Sequence, residues 1–135
     1  MLSTNFDWQK NTNAYQRIIH LSDFEDKWDG YNAPKFSSIT INLALTLYSH
    51  LRTYCINRGL DFSKVEPFIA PSSDGTILFE WAGKRFPTRQ LEIYIPVSGE
   101  GTLEYLKTDG ESEEEGEFYL EQLYSILDWL FNFDC

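Results

Sequence analysis

The chain has only two cysteines and one methionine, and no apolar run approaching the ~18 residues that cross a bilayer. Met1 to Asn5 show neither the basic nor the apolar segment of a secretory leader, so a soluble, cytosolic protein is expected. Cys55 falls in a helical stretch and Cys135 is the last residue. Reduced thiols are expected rather than a disulfide, with Cys55 a small core residue. Catalytic signatures are also missing. There is no G-x-S-x-G, P-loop, G-x-G-x-x-G or C-x-x-C, and His20 and His50 are single histidines on expected helices, where packing or surface roles are commoner than ligation. The segment "DGESEEEGE" lacks the D-x-D-x-D-G order of a calcium loop. The expectation is a protein that is not an enzyme and has no cofactor and no metal.

Base is scarce too, with 11 Lys and Arg against 21 Asp and Glu and a net charge of -10. The deficit is local. Acids and bases balance at ten each through residue 99. Residues 100–135 carry eleven acids (Glu100, Glu104, Asp109, Glu111, Glu113, Glu114, Glu115, Glu117, Glu121, Asp128, Asp134) and one base, Lys107. A field of that sign repels nucleic acid and anionic membranes and steers a basic partner inward. Lys84, Arg85 and Arg89 with Trp81 and Phe86 make a small basic-aromatic patch, read as a solvated loop in so acidic a chain.

Apolar material is plentiful, at 42% hydrophobic with 10 Phe, 8 Tyr and 4 Trp. A chain of 135 residues suits one domain, which buries roughly two-thirds of its unfolded surface. No repeat, Pro-rich linker or Gly/Ser tract divides it, so residues 1–135 are expected to form one α+β domain. Ala14, Ile18, Leu21 and Phe24 or Glu25 recur at helical spacing across about Asn13 to Asp26. A second helix follows a cap at Ser37 or Ser38, with an apolar face from Ile39 to Cys55 and a stop at Gly59.

Beyond Gly59 the period becomes two, and four strands are expected near Glu66–Ala70, Thr76–Trp81, Gln90–Val97 and Thr102–Lys107, joined by short turns such as "PSSDG". Short connections imply an antiparallel meander with one face on the core. Residues 109–117 have no apolar member and read as a mobile acidic loop. A last helix runs from about Phe118 to Phe133 on a stripe of Leu120, Leu123, Leu127 and Leu130 or Phe131. The fold expected is two N-terminal helices, a four-stranded meander and a C-terminal helix packed on the sheet.

"WDGYNAP" (Trp28 to Pro34) joins the first two helices. Asp29 suits an Asx turn, Gly30 a positive φ and Pro34 a restrained approach to the cap, so Trp28, Asp29, Gly30, Tyr31 and Pro34 read as a structural corner with both rings packed beneath it. Together with "PSSDGTILFEW" and "LEIYIPVSGEGTLEYL", this segment resembles a family of small uncharacterised bacterial and phage proteins. Those have a W-D-G-x-x-A-P turn before a helix, a P-x-x-D-G hairpin, and a strand ending in E-W. The likeness spans roughly residues 28–107 and implies a fold more than an activity; Asn32 stands where a glycine is frequent.

Size, absent catalytic motifs and concentrated charge together suggest a small protein-binding inhibitor of the antitoxin, immunity or anti-defence type. Glu111, Glu113, Glu114, Glu115, Glu117, Glu121 and Asp128 would dock on a basic, nucleic-acid-binding partner such as a nuclease, a toxin or a nucleic-acid-guided enzyme, as phosphates would. The alternative is a non-catalytic assembly subunit, a homodimer for instance, joined through exposed Tyr94, Tyr105, Leu106, Tyr119, Tyr124, Trp129 and Phe133.

Overall fold

The structure, a computed structural model, describes residues 13–31, 33–97 and 102–132. Cys135, Phe133, Asp134, Glu100 and Asn32 fall outside them. Three helices, α1 (Ala14–Leu21), α2 (Ser38–Arg58) and α3 (Phe62–Val65), precede strands β1 (Phe68–Pro71), β2 (Ile77–Trp81), β3 (Arg89–Ile95), β4 (Leu103–Asp109) and β5 (Ser112–Phe118), and α4 (Leu123–Phe131) closes the order. The strands form one antiparallel sheet in sequence order. The α+β meander is therefore as expected, with a fifth strand and a short third helix added.

Asn13 caps α1 by accepting from the Gln16 N–H at 2.8 Å. The helix stops at Leu21, short of the expected Asp26, because the Ser22 hydroxyl folds back on the Ile19 carbonyl and the next two amides make tight turns onto His20 and Leu21. Ser37 caps α2, accepting from the Thr40 N–H at 3.1 Å, and Gly59 ends it at φ 72°. Thr40 is fully buried, and its hydroxyl reaches the Pro96 and Val97 carbonyls at 3.1 and 3.3 Å, tying the start of α2 to the end of β3.

Alternation in the strands sends Ile69, Ile77, Phe79, Trp81, Leu91, Ile93, Ile95, Leu103 and Phe118 to one face, all buried. They join Ile18, Leu47, Leu51 and Tyr54 from α1 and α2, and Leu123, Leu127 and Leu130 from α4, in one hydrophobic cluster. Burying such a side chain is worth ~1.5–3 kcal/mol, so this face sets the register of every strand. Buried Cys55 belongs to the same cluster, and burial pushes its thiol upward.

The acidic run 109–117 is not a loop. Asp109 pairs with Ser112 across a two-residue turn, with Gly110 at φ 65° in the first central position, the arrangement of a type II′ hairpin. The register this imposes brings Phe118 opposite Leu103 in the core and Glu114 opposite Lys107. A buried anchor at its far end and a good turn at its near end hold a segment of poor strand propensity in the sheet. The final helix accordingly starts later than expected, at Leu123 after a single 3-10 turn, Leu120–Gln122.

The basic-aromatic patch is only partly the solvated loop expected: Lys84 and Arg85 are exposed, but the rest is built into the fold. Trp81 and Phe86 are buried, and Arg85 donates to the carbonyls of Lys64 and Glu66 at 2.9 and 2.8 Å. Arg89 donates to the Trp129 carbonyl at 2.7 Å, linking β3 to α4.

At the α1–α2 corner, Asp29 Oδ1 accepts from the Tyr31 and Ala33 amides at 2.8 and 3.2 Å, and Gly30 sits at φ 84°. The Trp28 indole donates to the Pro34 carbonyl at 2.9 Å and its ring packs against both Phe24 and Phe36, with centroids 5.0 and 5.7 Å away, in a three-ring cluster. Tyr31 departs from the expectation of two packed rings: it is 78% exposed, because the Asx turn points it outward. In urea unfolding, Trp28→Ala should therefore lose about 2 kcal/mol and Gly30→Val about 1–2 kcal/mol. Tyr31→Ala should stay within about 0.5 kcal/mol of the parent.

Candidate functional site

The second face of the sheet holds no buried side chain. The register places three rows across it: Phe68, Glu80, Glu92, Leu106 and Glu115; Ala70, Leu78, Tyr94, Glu104 and Glu117; and Gln90, Thr108 and Glu113. Six glutamates thus share a face on which the strands place no lysine or arginine. Both strand bases, Arg89 and Lys107, fall on the helix side, and no ion pair involves any of the six among the described residues.

Glu80 lies directly opposite Glu92, and Glu104 opposite Glu117. Side chains so placed have Cβ atoms ~4.5–5.5 Å apart, where like charges destabilise the sheet. The local chemistry registers the crowding. Burial, and then the charge of Glu92, push the Glu80 carboxyl above its ordinary value. The Tyr94 hydroxyl donates to Glu92, and burial, that bond and the surrounding carboxylates push it up to about 12. Thr102 donates to Glu117 at 3.0 Å. A depression of about 280 Å³ opens beside Tyr94, Leu106, Glu104, Glu115 and Glu117.

The seven acids expected at the partner interface are divided by this geometry. Glu113, Glu115 and Glu117 lie on the open face. Glu111 is exposed at the hairpin tip, and Glu121 is exposed in the turn before α4. Glu114 points to the helix side, where it accepts from the Tyr105 hydroxyl at 2.6 Å and has the Lys107 ammonium 3.9 Å away. Asp128 fastens α4 to α2: it accepts from the Tyr54 hydroxyl at 2.7 Å and from Arg58 Nη2 at 2.9 and 3.2 Å. Burial raises the Asp128 carboxyl, but the bonds from Tyr54 and Arg58 and the arginine charge outweigh it and leave it below the ordinary range.

Glu80, Glu92 and Glu104 were not foreseen as site residues. Each sits between apolar neighbours in "LFEW", "LEIY" and "TLEYL", so alternation marks them as outward-facing, but only the register shows that they converge. Among the described residues no three His, Cys, Asp or Glu gather as a metal site, and no helix is long and apolar enough to cross a membrane. His50 is exposed, and His20 packs edge-on to Phe24.

Two titrations of opposite sign follow. Asp128, lowered in the fold, stabilises above the ordinary carboxylate range, and that contribution is lost as pH falls through its folded value. Asp128→Asn should lower the urea midpoint at pH 7, by an amount that shrinks on acidification. Glu80, raised in the fold, stabilises only below the ordinary glutamate range and loses this as pH rises through its folded value. Glu80→Gln should gain about 0.5 kcal/mol at pH 7, and the gain should vanish near pH 4; an unchanged or lower midpoint at pH 7 would contradict the crowding.

The chain matches no protein-family model, no curated protein and no solved structure.

Proposed function

We propose that this protein is a non-catalytic binding protein that presents its open sheet face to the basic surface of a nucleic-acid-binding partner and thereby competes with nucleic acid. The observation that supports this is the gathering of six glutamates, with no strand lysine or arginine, on one face of the sheet. Two pairs of like charges stand directly opposite one another there, at a cost to the fold that a partner's cations would relieve. Carboxylates on alternate residues of a strand recur about every 6.8 Å on a rigid scaffold, so little ordering entropy opposes docking. Partner lysines and arginines would exchange bound counterions for these carboxylates, giving a strongly salt-dependent complex.

On this reading the protein is an inhibitor of the antitoxin, immunity or anti-defence type. The aromatic surface behind the assembly-subunit alternative is smaller than expected: Tyr94 and Leu106 do lie on the open face and Tyr119 is exposed, but three other rings named for it turn inward. Tyr105 turns to the helix side beside Phe118, Tyr124 packs on Tyr54, and Trp129 is half-buried against the core. Of the aromatic residues named for that role, Tyr119 alone is exposed among the described residues.

Immobilised protein should retain basic proteins from a cell extract at low salt, and these should elute with salt or with added RNA or DNA. A variant with Glu80, Glu92, Glu104, Glu113, Glu115 and Glu117 all changed to Gln should fold and retain none of them. Equal retention by the variant, or elution insensitive to salt and nucleic acid, would overturn the proposal.

A further inference from the structure

The two edges of the sheet differ. β1 has four residues, ends in Pro71 and has α1 packed against it. β5 has seven, about 23 Å of strand, and no described element pairs with its outer side. Asp109 and Ser112 close a two-residue turn, so theirs is a hydrogen-bonded pair, as are Lys107/Glu114, Tyr105/Gly116 and Leu103/Phe118. The N–H and C=O groups of Glu113, Glu115 and Glu117 therefore point away from β4, a row of unpaired donors and acceptors at the open edge.

We infer that β5 is a docking edge for an extended basic segment of the partner, which adds as a sixth, antiparallel strand. This rests on the binding reading above and specifies how the partner is recognised. Residues of the added strand opposite Glu113, Glu115 and Glu117 exchange backbone hydrogen bonds with them and carry their side chains onto the glutamate face. The 280 Å³ depression beside Glu115, Glu117 and Leu106 takes a lysine or arginine there, with its apolar stem crossing β5 toward Leu106 and its charge among carboxylates. The residues between them emerge on the helix side, where the Lys107 ammonium already lies 5.1 Å from the Trp129 ring centre. Lys107 already neutralises Glu114 there at 3.9 Å, so a second cation finds no uncompensated carboxylate on that side of β5 and a small or apolar side chain fits. The motif recognised is an alternation, with a base at every second position. A second copy of this chain is a poor occupant, since pairing β5 with β5 sets glutamate against glutamate.

The probe is a capped seven-residue peptide with lysine at its second, fourth and sixth positions and threonine or valine between. Isotope-labelled protein should show slowed amide exchange at Glu113, Glu115 and Glu117 on adding it. N-methylation of the three lysine amides keeps the charge and removes the backbone donors, and should weaken binding about tenfold or more at equal ionic strength. Glu115→Pro removes one outward N–H without touching the β4 ladder, which edge strands tolerate, and should weaken binding well beyond Glu115→Gln. Equal affinity of the methylated peptide, or equal effects of the two Glu115 variants with both folded, would overturn edge pairing. If basic proteins are still retained by the parent in that case, the acidic face stands without the edge; if neither peptide nor protein binds, both readings fall.

Discussion

A strand's side chains alternate, and in this sheet that period of two couples the packing of one face to the charge of the other. Ile77, Phe79, Leu91, Ile93, Ile95 and Leu103 must reach the helices, so Glu80, Glu92 and Glu104 have no choice but to leave on the opposite side. A slip of one residue in β2, β3, β4 or β5 would put a carboxylate into the core, at a cost no surface interaction could offset. The acidic face is thus held in place by the hydrophobic one.

Compensation is concentrated elsewhere in the molecule. Asp128 has Arg58 and Tyr54, Glu114 has Lys107 and Tyr105, and Asp109 has Arg89 with Nε to Oδ2 at 3.4 Å. All three lie on the helix side. On the open face, hydroxyls from Tyr94 and Thr102 offer hydrogen bonds without charge, so the repulsion is softened rather than cancelled. Gly116 also fits this division: Tyr105 lies across it, and a Cβ there would meet the Tyr105 ring at 3.1 Å.

Much of this was legible in the sequence. The caps of α2 at Ser37 and Gly59, the "PSSDG" turn and the first four strands follow from turn chemistry and alternation, both local. β5 was hidden because polarity argued for a loop. Its placement depends on a turn at Gly110 and on Phe118, a core residue assigned to the following helix. The site was half legible for the same reason. The glutamates of the run stood out as a block, while the three that complete the face were scattered singly along the chain and meet only through register. Asp128 and Glu114 looked like their neighbours in composition and turned out to be bound internally, a difference made by which side of an element they occupy. Tyr31 is the converse, an aromatic that composition sends inward and a local hydrogen bond to Asp29 sends outward.

The placement of Arg58, Arg89 and Lys107 beside the helices has a consequence for motion in solution. These three cations are paired on the helix side while the six glutamates of the open face have no ion pair among the described residues, so the charge carried by the sheet is unbalanced along its normal. In the field of a positively charged surface the molecule experiences a torque as well as an attraction. Such a torque favours approach with the glutamates leading.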